Sequence, residues 1–341
     1  MDANKIHINW FPGHMAQTLK MIDGELKICD AIVYVVDARC PQSCINPQFD
    51  DFVGRKPVLF VLNKIDLASN GAKEQFVQSL QLKTPYMVIT RNSVKSGGTE
   101  AVVKALQKLL AERIQAKMAH GIVKTLRVAV IGVTNCGKST FINNMTNKGK
   151  TQTGNRPGVT RTKQWVPITD NLWLLDTPGT LWPAFTNQQV ARNLAYVGSI
   201  NDDILDIVAL SQALLDDLNK LQPDAVKARF GVTTFEEIAK KRGCILRGGV
   251  LDTRRAAKMI LAEFREGKIG KFNLDNLLWV ITKHWIKHLE NMGKTKPPNF
   301  ALNKNWKLLS GTIAVALVKL TLLPSVMTSC ILSKSRTGRM I

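Results

Sequence analysis

Three features of this 341-residue sequence predict an α/β domain followed by a small all-α domain. Largely apolar runs at 31–36, 57–62, 126–131 and 171–175 each stop at a polar or glycine-bearing turn, as buried parallel strands do at the ligand edge of a sheet. Gly132-Val-Thr-Asn-Cys-Gly-Lys-Ser139 fits the phosphate-loop pattern G-x-x-x-x-G-K-[ST] without mismatch, between one of those runs and the helix-compatible stretch Thr140 to Met145. Beyond residue 186 the sequence reads as helices, at 188–194, 204–221 and 254–266.

In chain order, the aromatic and turn-forming stretch 8–15 has His14 as its one titratable side chain and leads into a helix over 16–27. The run 31–36 closes on Asp37-Ala-Arg39, and the run 57–62 continues directly into Asn63-Lys-Ile-Asp66. That tetrapeptide matches N-K-x-D. A carboxylate at Asp66 can accept from guanine N1–H and the exocyclic amine, a donor pair that adenine lacks, so the charge would stay unpaired on the wrong base. Asn63 would tie this loop to the phosphate loop, and the Lys64 stem would cover the base. Taken alone N-K-x-D is also an ordinary polar turn; the complete phosphate loop beside it gives it weight. A helix over 71–82, a strand over 86–90 and a helix over 100–118 follow, and Thr90-Arg91-Asn92 is a loose fit to a last base-contacting loop.

In the phosphate loop, glycines let backbone N–H groups close around anionic oxygens, and the following helix start adds partial positive charge. Asn135, Cys136, Gly137, Lys138, Ser139 and Thr140 form the predicted cradle, with Lys138 reaching the β- and γ-phosphates and the Ser139 hydroxyl on Mg²⁺. The basic, glycine-bearing stretch 153–163 reads as a mobile switch or a plain surface loop; as a switch it would offer the Thr160 hydroxyl to Mg²⁺. The run 171–175 ends in Asp176-Thr-Pro-Gly179, a D-x-x-G element, with Asp176 at the Mg²⁺ shell and the Gly179 N–H on the γ-phosphate.

In an ordinary Ras-like P-loop GTPase the phosphate loop comes first and N-K-x-D fourth. Here N-K-x-D precedes both the phosphate loop and D-x-x-G, so the domain reads as circularly permuted, and D-x-x-G feeds directly into the C-terminal part. With this order, and with Trp10-Phe-Pro-Gly-His-Met15, Val36-Asp-Ala-Arg39, Asp176-Thr-Pro-Gly179 before Leu181-Trp-Pro183, and Gly243-Cys-Ile245, residues 6–275 resemble the RbgA/YlqF family of ribosome-biogenesis GTPases. The resemblance implies a circularly permuted Ras-like P-loop GTPase domain followed by a small all-α domain. It also implies ribosome-stimulated GTP hydrolysis in large-subunit maturation, and activation by K⁺ with Asn135 as its ligand. Thr180 follows D-x-x-G, so no glutamine amide is available to orient water. The family's remedy falls on His14, whose imidazole can position or polarise the attacking water; a structural histidine or an RNA contact is the competing reading. Thr134 and Cys136 stand where family members commonly carry Pro and Val.

The expected division is 1–185 for the permuted GTPase domain, 186–275 for a helical RNA-binding domain and 276–341 for a basic tail. A formal net charge of +21 points to a polyanionic partner, nucleic acid or an anionic membrane. Thr234-Phe-Glu-Glu237 reads as a capping box. Over 254–266 one stripe is apolar and its neighbour carries Arg254, Lys258 and Arg265; with Arg247, Lys268 and Lys271 this forms a basic surface for phosphate backbones, or simply a solvated face. The tail has ten Lys or Arg against one Glu, and its apolar run 311–332 is interrupted by Lys319 and Pro324. A charge near the centre of such a run costs about 2.5–3.5 kcal/mol on insertion, and the tail is assigned no function.

The six cysteines show no CxxC pair and no zinc-finger spacing, which argues against a metal ribbon or a disulfide framework. The N-terminus has neither signal-peptide nor transit-peptide character, so the chain reads as cytoplasmic. The expected cofactors are Mg²⁺ and K⁺, with GTP as substrate. The expected partners of a monomeric chain are the large-subunit precursor and its rRNA, with GTP or GDP. The rivals are an RNA-binding assembly factor with nucleotide-switched binding and negligible turnover, and a membrane-associated signalling GTPase.

Overall fold

Strands β1 (Ala31–Asp37) and β2 (Val58–Asn63) are buried along their whole lengths, the condition that lets an unbroken apolar run persist in a parallel sheet. They are interior strands of a six-stranded sheet with β3 (Tyr86–Thr90), β4 (Leu126–Ile131), β5 (Gln164–Thr169) and β6 (Leu172–Asp176), in the order β3-β2-β1-β4-β6-β5. All neighbours pair parallel except β5 with β6. The computed structural model describes residues 7–8, 13–47, 49, 53, 56–80, 82, 84–92, 98–119, 125–146, 164–182 and 185–278, without the side chains of 13, 14 and 116–119. The chain divides into units 1–284 and 285–341, the second wholly outside the described residues.

Because β1, β2, β4 and β6 run parallel, Asp37, Asn63, Gly132 and Thr177 all leave the sheet at one edge. β1 and β4 are neighbours, with Ala31 opposite Val128 and Tyr34 opposite Ile131. The chain winds outward from β1 to β2 and β3 on one side, and from β4 to β6 on the other. The edge above this pair is therefore a topological switch point, where diverging loops leave a crevice.

Helices α1 (Gly13–Leu26), α2 (Ala72–Ser79), α3 (Thr99–Leu109), α4 (Ala111–Ala119) and α5 (Lys138–Thr146) accompany the sheet. The single helix expected over 100–118 is two. Leu110 departs from helical geometry at φ −103° and ψ 5°, yet its N–H still reaches Leu106 O and it is fully buried. The apolar period runs through the break, so periodicity does not register it. Strand β5, absent from the sequence reading, carries Pro167 where the β5–β6 register shifts, a placement open to proline only on an edge strand.

The C-terminal part packs α6 (Gln188–Tyr196), α7 (Ile207–Leu221), α8 (Pro223–Phe230), α9 (Phe235–Lys241) and α10 (Thr253–Arg265). Helices α7 and α10 lie against each other, burying Leu210, Leu214, Ile260 and Leu261. Asp206 caps α7 by accepting from Val208 and Ala209 N–H, and Thr234 with Glu237 forms the capping box of α9. α8 has Pro223 at its first turn and Gly231 at φ +74° just past its end, a start and stop pair that the apolar spacing alone did not mark. The segment 272–275 returns to the sheet domain. Leu274 donates to Arg39 O at 2.7 Å, and Asp275 accepts from the Gln42 N–H at 2.7 Å and the Ser43 hydroxyl at 2.6 Å.

Among the described residues no helix is long and apolar enough to cross a membrane; the run 311–332 lies outside them.

Candidate functional site

The loop from β4 into α5 is shaped by close approaches that only glycine permits. Gly137 has φ +94°, and a Cβ there would lie 2.2 Å from Asn63 Nδ2. Asn63 stands at the end of β2 and donates from that nitrogen to Cys136 O at 2.9 Å, joining the two loops across 73 residues. A Cβ on Gly179 would meet Thr134 Cα at 2.7 Å and Lys138 Nζ at 2.8 Å, so the D-x-x-G glycine lies directly on the phosphate loop. Thr180 N–H donates to Gly132 O at 3.4 Å.

Lys138 opens α5 and is buried, its ammonium donating to Gly132 O at 3.1 Å and Val133 O at 2.8 Å. Those carbonyls belong to its own loop, so an anionic oxygen can take their place without desolvating the charge further. Ser139 and Thr140 follow in the first turn, where helix N–H groups and partial positive charge favour an anion. Cys136 is buried, which pushes its thiol up from its ordinary range, so it packs rather than reacts.

Asp176 ends β6 with Oδ2 accepting from the Ser139 hydroxyl at 3.4 Å. Its Oδ1 is buried and has no hydrogen-bond partner among the described residues. Burial pushes the Asp176 carboxyl above its ordinary pKa, against the opposing pull of Lys138 and Ser139. A hydroxyl oxygen beside an under-satisfied carboxylate is a hard-oxygen donor set, and these two residues fit Mg²⁺. Asn135 sits at φ +57° and donates from Nδ2 to Gly198 O at 3.2 Å, which leaves its amide oxygen as the atom it could offer a monovalent cation. Thr160 and the stretch 151–163 lie outside the described residues. His14 lies in α1, and its side chain is outside them too.

The N-K-x-D loop turns through Lys64 at φ +57° into a 3-10 turn over Ile65–Leu67, on which Asp66 is exposed. Lys64 Nζ donates to Asn135 O at 2.9 Å and lies 3.1 Å from Asp37 Oδ2. Asp37 is fully buried and is gripped by Arg39 through Nε at 2.9 Å and a terminal nitrogen at 2.7 Å. Burial works to raise the Asp37 carboxyl, yet Arg39 and Lys64 outweigh it and hold the group well below the ordinary carboxylate range. The sequence reading gave this pair no role. Its signal was two opposite charges, two residues apart, closing a wholly apolar strand. Arg91 N–H donates to Leu62 O at 2.8 Å and its guanidinium carbon lies 5.9 Å from the Phe141 ring centre; residues 93–97 lie outside the described set.

Of the basic residues singled out for nucleic acid, Arg247, Arg254, Lys258 and Lys271 are exposed, and Lys268 is exposed with Glu266 at 2.6 Å. Arg265 is a correction. Its guanidinium turns inward, donating to Tyr196 O and Ala195 O at 3.0 Å each and to both oxygens of Asp202 at 2.6 and 2.7 Å. The end of α10 abuts the end of α6, whose terminal carbonyls need donors, and that demand takes the side chain the helical wheel left facing outward.

The 50S ribosome-binding GTPase family model matches residues 127–233. The chain is 36% identical over 277 residues to ribosome biogenesis GTPase A of Bacillus cereus, spanning 79% of this chain and 93% of that one. It is 31% identical over 293 residues to mitochondrial ribosome-associated GTPase 1 of Bos taurus, spanning 78% and 88%. The crystal structure of GNP-bound YlqF from T. maritima aligns with a TM-score of 0.53 at 26% identity, covering 74% of this chain and 95% of that chain. On that identity and coverage, with the permuted motif order on one sheet edge, the chain belongs to the ribosome biogenesis GTPase A (RbgA/YlqF) family.

Proposed function

We propose that this chain hydrolyses GTP to GDP and phosphate during late assembly of the large ribosomal subunit, that the subunit stimulates turnover, and that the helical domain, 186–275, contacts rRNA. The observation that carries the reading is the convergence of Asn63, Lys138 and Gly179 on one loop at the switch point of the sheet. The formal net charge of +21 and the exposed Arg247, Arg254, Lys258 and Lys271 support the nucleic-acid part.

In this reading Asp66 accepts from guanine N1–H and the exocyclic amine, Asn63 holds its loop on the phosphate loop, and Lys64 covers the base. The N–H groups of Asn135 to Thr140 cradle the phosphates, and Lys138 exchanges its own carbonyls for β- and γ-phosphate oxygens. Ser139, Asp176 and Thr160 hold Mg²⁺, and Asn135 holds K⁺ through its amide oxygen. When bound, Mg²⁺ offsets the charge on the β- and γ-phosphate oxygens. Gly179 N–H meets the γ-phosphate, and loss of that contact on hydrolysis releases the segment leading to α6. His14 positions the attacking water.

The test is GTP hydrolysis in potassium buffer with and without large subunits, on the whole chain and on His14→Ala. Turnover that rises with subunits, and falls on the order of 100-fold in His14→Ala with GTP affinity retained, supports the reading. Subunits that neither bind nor stimulate would show the assembly role to be wrong, and the basic surface would need another polyanion. A second reading, a nucleotide-switched RNA-binding factor with negligible turnover, draws on Thr180, which offers no side-chain amide beside Gly179. Turnover that stays negligible even with subunits present, with no further fall in His14→Ala, would favour it.

A further inference from the structure

Two hydrogen bonds fasten the outer limb of the phosphate loop to the turn that follows α6. The Thr134 hydroxyl donates to Ser199 O, and the Asn135 amide donates to Gly198 O at 3.2 Å. Thr134 is 2% exposed and Ser199 1%, so no water competes for the first bond. The turn is itself anchored. Arg265 donates to Ala195 O and Tyr196 O, the last carbonyls of α6, and binds Asp202 beyond the turn. On its other flank Thr134 carries Gly179, since a Cβ there would lie 2.7 Å from Thr134 Cα and 2.9 Å from its nitrogen. Thr134 thus sits between the D-x-x-G glycine and the helical domain, in contact with both.

We propose that Thr134 is a positioning residue for GTP hydrolysis, holding the loop limb against which Gly179 is aimed and passing the state of that contact to α6 and α10. The inference rests on the reading that this loop holds GTP. Asn135 at φ +57° is a conformation that a non-glycine residue keeps where its surroundings support it. Lys64 supplies part of that support through Asn135 O, and the two bonds to the turn supply the part that comes from the helical domain. A γ-phosphate that draws the Gly179 N–H inward moves it against the Thr134 backbone. With the hydroxyl fastened, the displacement reaches Ser199 and the turn gripped by Arg265, because packed elements shift as units. Without it the limb yields and the Gly179 N–H loses its aim. Ground-state binding is shared among Lys138 and the N–H groups from Asn135 to Thr140, most of them beyond the limb, so it changes little.

The experiment uses the whole chain and the variants Thr134→Val, which keeps the shape and removes the hydroxyl, and Thr134→Ser, which keeps the hydroxyl. Thr134→Val is expected to lower kcat roughly tenfold with KM for GTP within about twofold, and Thr134→Ser to restore kcat; a merely structural threonine would lower thermal stability and leave kcat alone. Wild-type kcat in a Thr134→Val chain that binds a fluorescent GTP analogue normally overturns the proposal. Failure of the unsubstituted chain to bind that analogue sinks instead the reading of the site as a GTP site. A second measurement needs no variant: amide hydrogen exchange at Val197, Gly198 and Ser199 in the wild-type chain. These amides are expected to exchange about fivefold more slowly with a non-hydrolysable GTP analogue than with GDP, and equal rates overturn the proposal.

Discussion

Lys64 donates to the carbonyl oxygen of Asn135, 71 residues away, and the same ammonium lies 3.1 Å from Asp37. Three strand ends, from β1, β2 and β4, therefore meet at one nitrogen. Asp37 holds Lys64 in place and is held in turn by Arg39, whose remaining terminal nitrogen donates to Arg265 O at 3.3 Å. Asp37→Asn leaves the Arg39 guanidinium buried without its counter-charge, which costs about 3–5 kcal/mol in such sites. A melting midpoint lower by several degrees at neutral pH is expected, with weaker GTP binding because Lys64 loses its anchor. An unchanged midpoint would show that the cluster is not a structural pin.

Asp66 sets a sharper test of the base reading. In guanine the group at C2 is an amine, which donates, whereas in xanthine it is a carbonyl, which accepts. Asp66→Asn replaces an acceptor-only group by one that can donate, so GTP affinity should fall by roughly 100-fold or more and xanthosine triphosphate should compete in its place. Asp66 is exposed, and the melting midpoint should stay within about a degree. Equal loss of both nucleotides would mean that Asp66 does not read the base.

The inward turn of Arg265 separates structural cations from those left for a polyanion. Arg265→Lys keeps the charge and loses the fork that spans two carbonyls and Asp202, so stability should fall on the order of 2 kcal/mol. The salt dependence of RNA binding should be unchanged. Arg254→Ala and Lys258→Ala should do the reverse, each lowering the slope of log affinity against log salt by about 1 while the melting midpoint holds. A slope lowered by about 1 in Arg265→Ala as well would restore that residue to the RNA surface.

What the sequence made legible follows from the range of the interactions involved. The β1, β2 and β4 runs, the phosphate loop and N-K-x-D each carry their signal within a few residues, and the observed strands lie within a residue of the expected ones. The kink at Leu110, the edge strand with Pro167 and the inward turn of Arg265 depend on what packs against them. The same holds at the site. Asn63, Lys138 and Gly179 were named from local patterns, but the roles of Asp37, Arg39 and Thr134 exist only once β1, α6 and α10 are brought together. Nothing in the spacing of Thr134 and Ser199, 65 residues apart, announces their bond.

Asp275 carries the last prediction, a pH dependence whose sign is opposite to the usual carboxylate case. Burial pushes its carboxyl from 3.8 up to about 6, against the hydrogen bonds from Ser43, Gln42 and Asn193. The folded chain therefore holds more protons than the unfolded one between those values. Stability contributed by this group is highest below pH 4, falls as pH rises to about 6, and is flat above. Asp37, held low, acts the other way and in a lower window: its contribution is complete above the unfolded value and is lost as pH falls through the folded one. Asp275→Asn removes the first effect and leaves the second. Its amide fits the N–H groups of Gln42 and Ser43 less well, a penalty that does not change with pH. The stability of Asp275→Asn relative to wild type should thus rise by about 3 kcal/mol between pH 4 and pH 6 and then stay level. Chemical denaturation of both chains at half-unit steps measures it, and two curves that remain parallel across that window would mean that Asp275 is ionised throughout, with the bonds from Ser43 and Gln42 outweighing its burial.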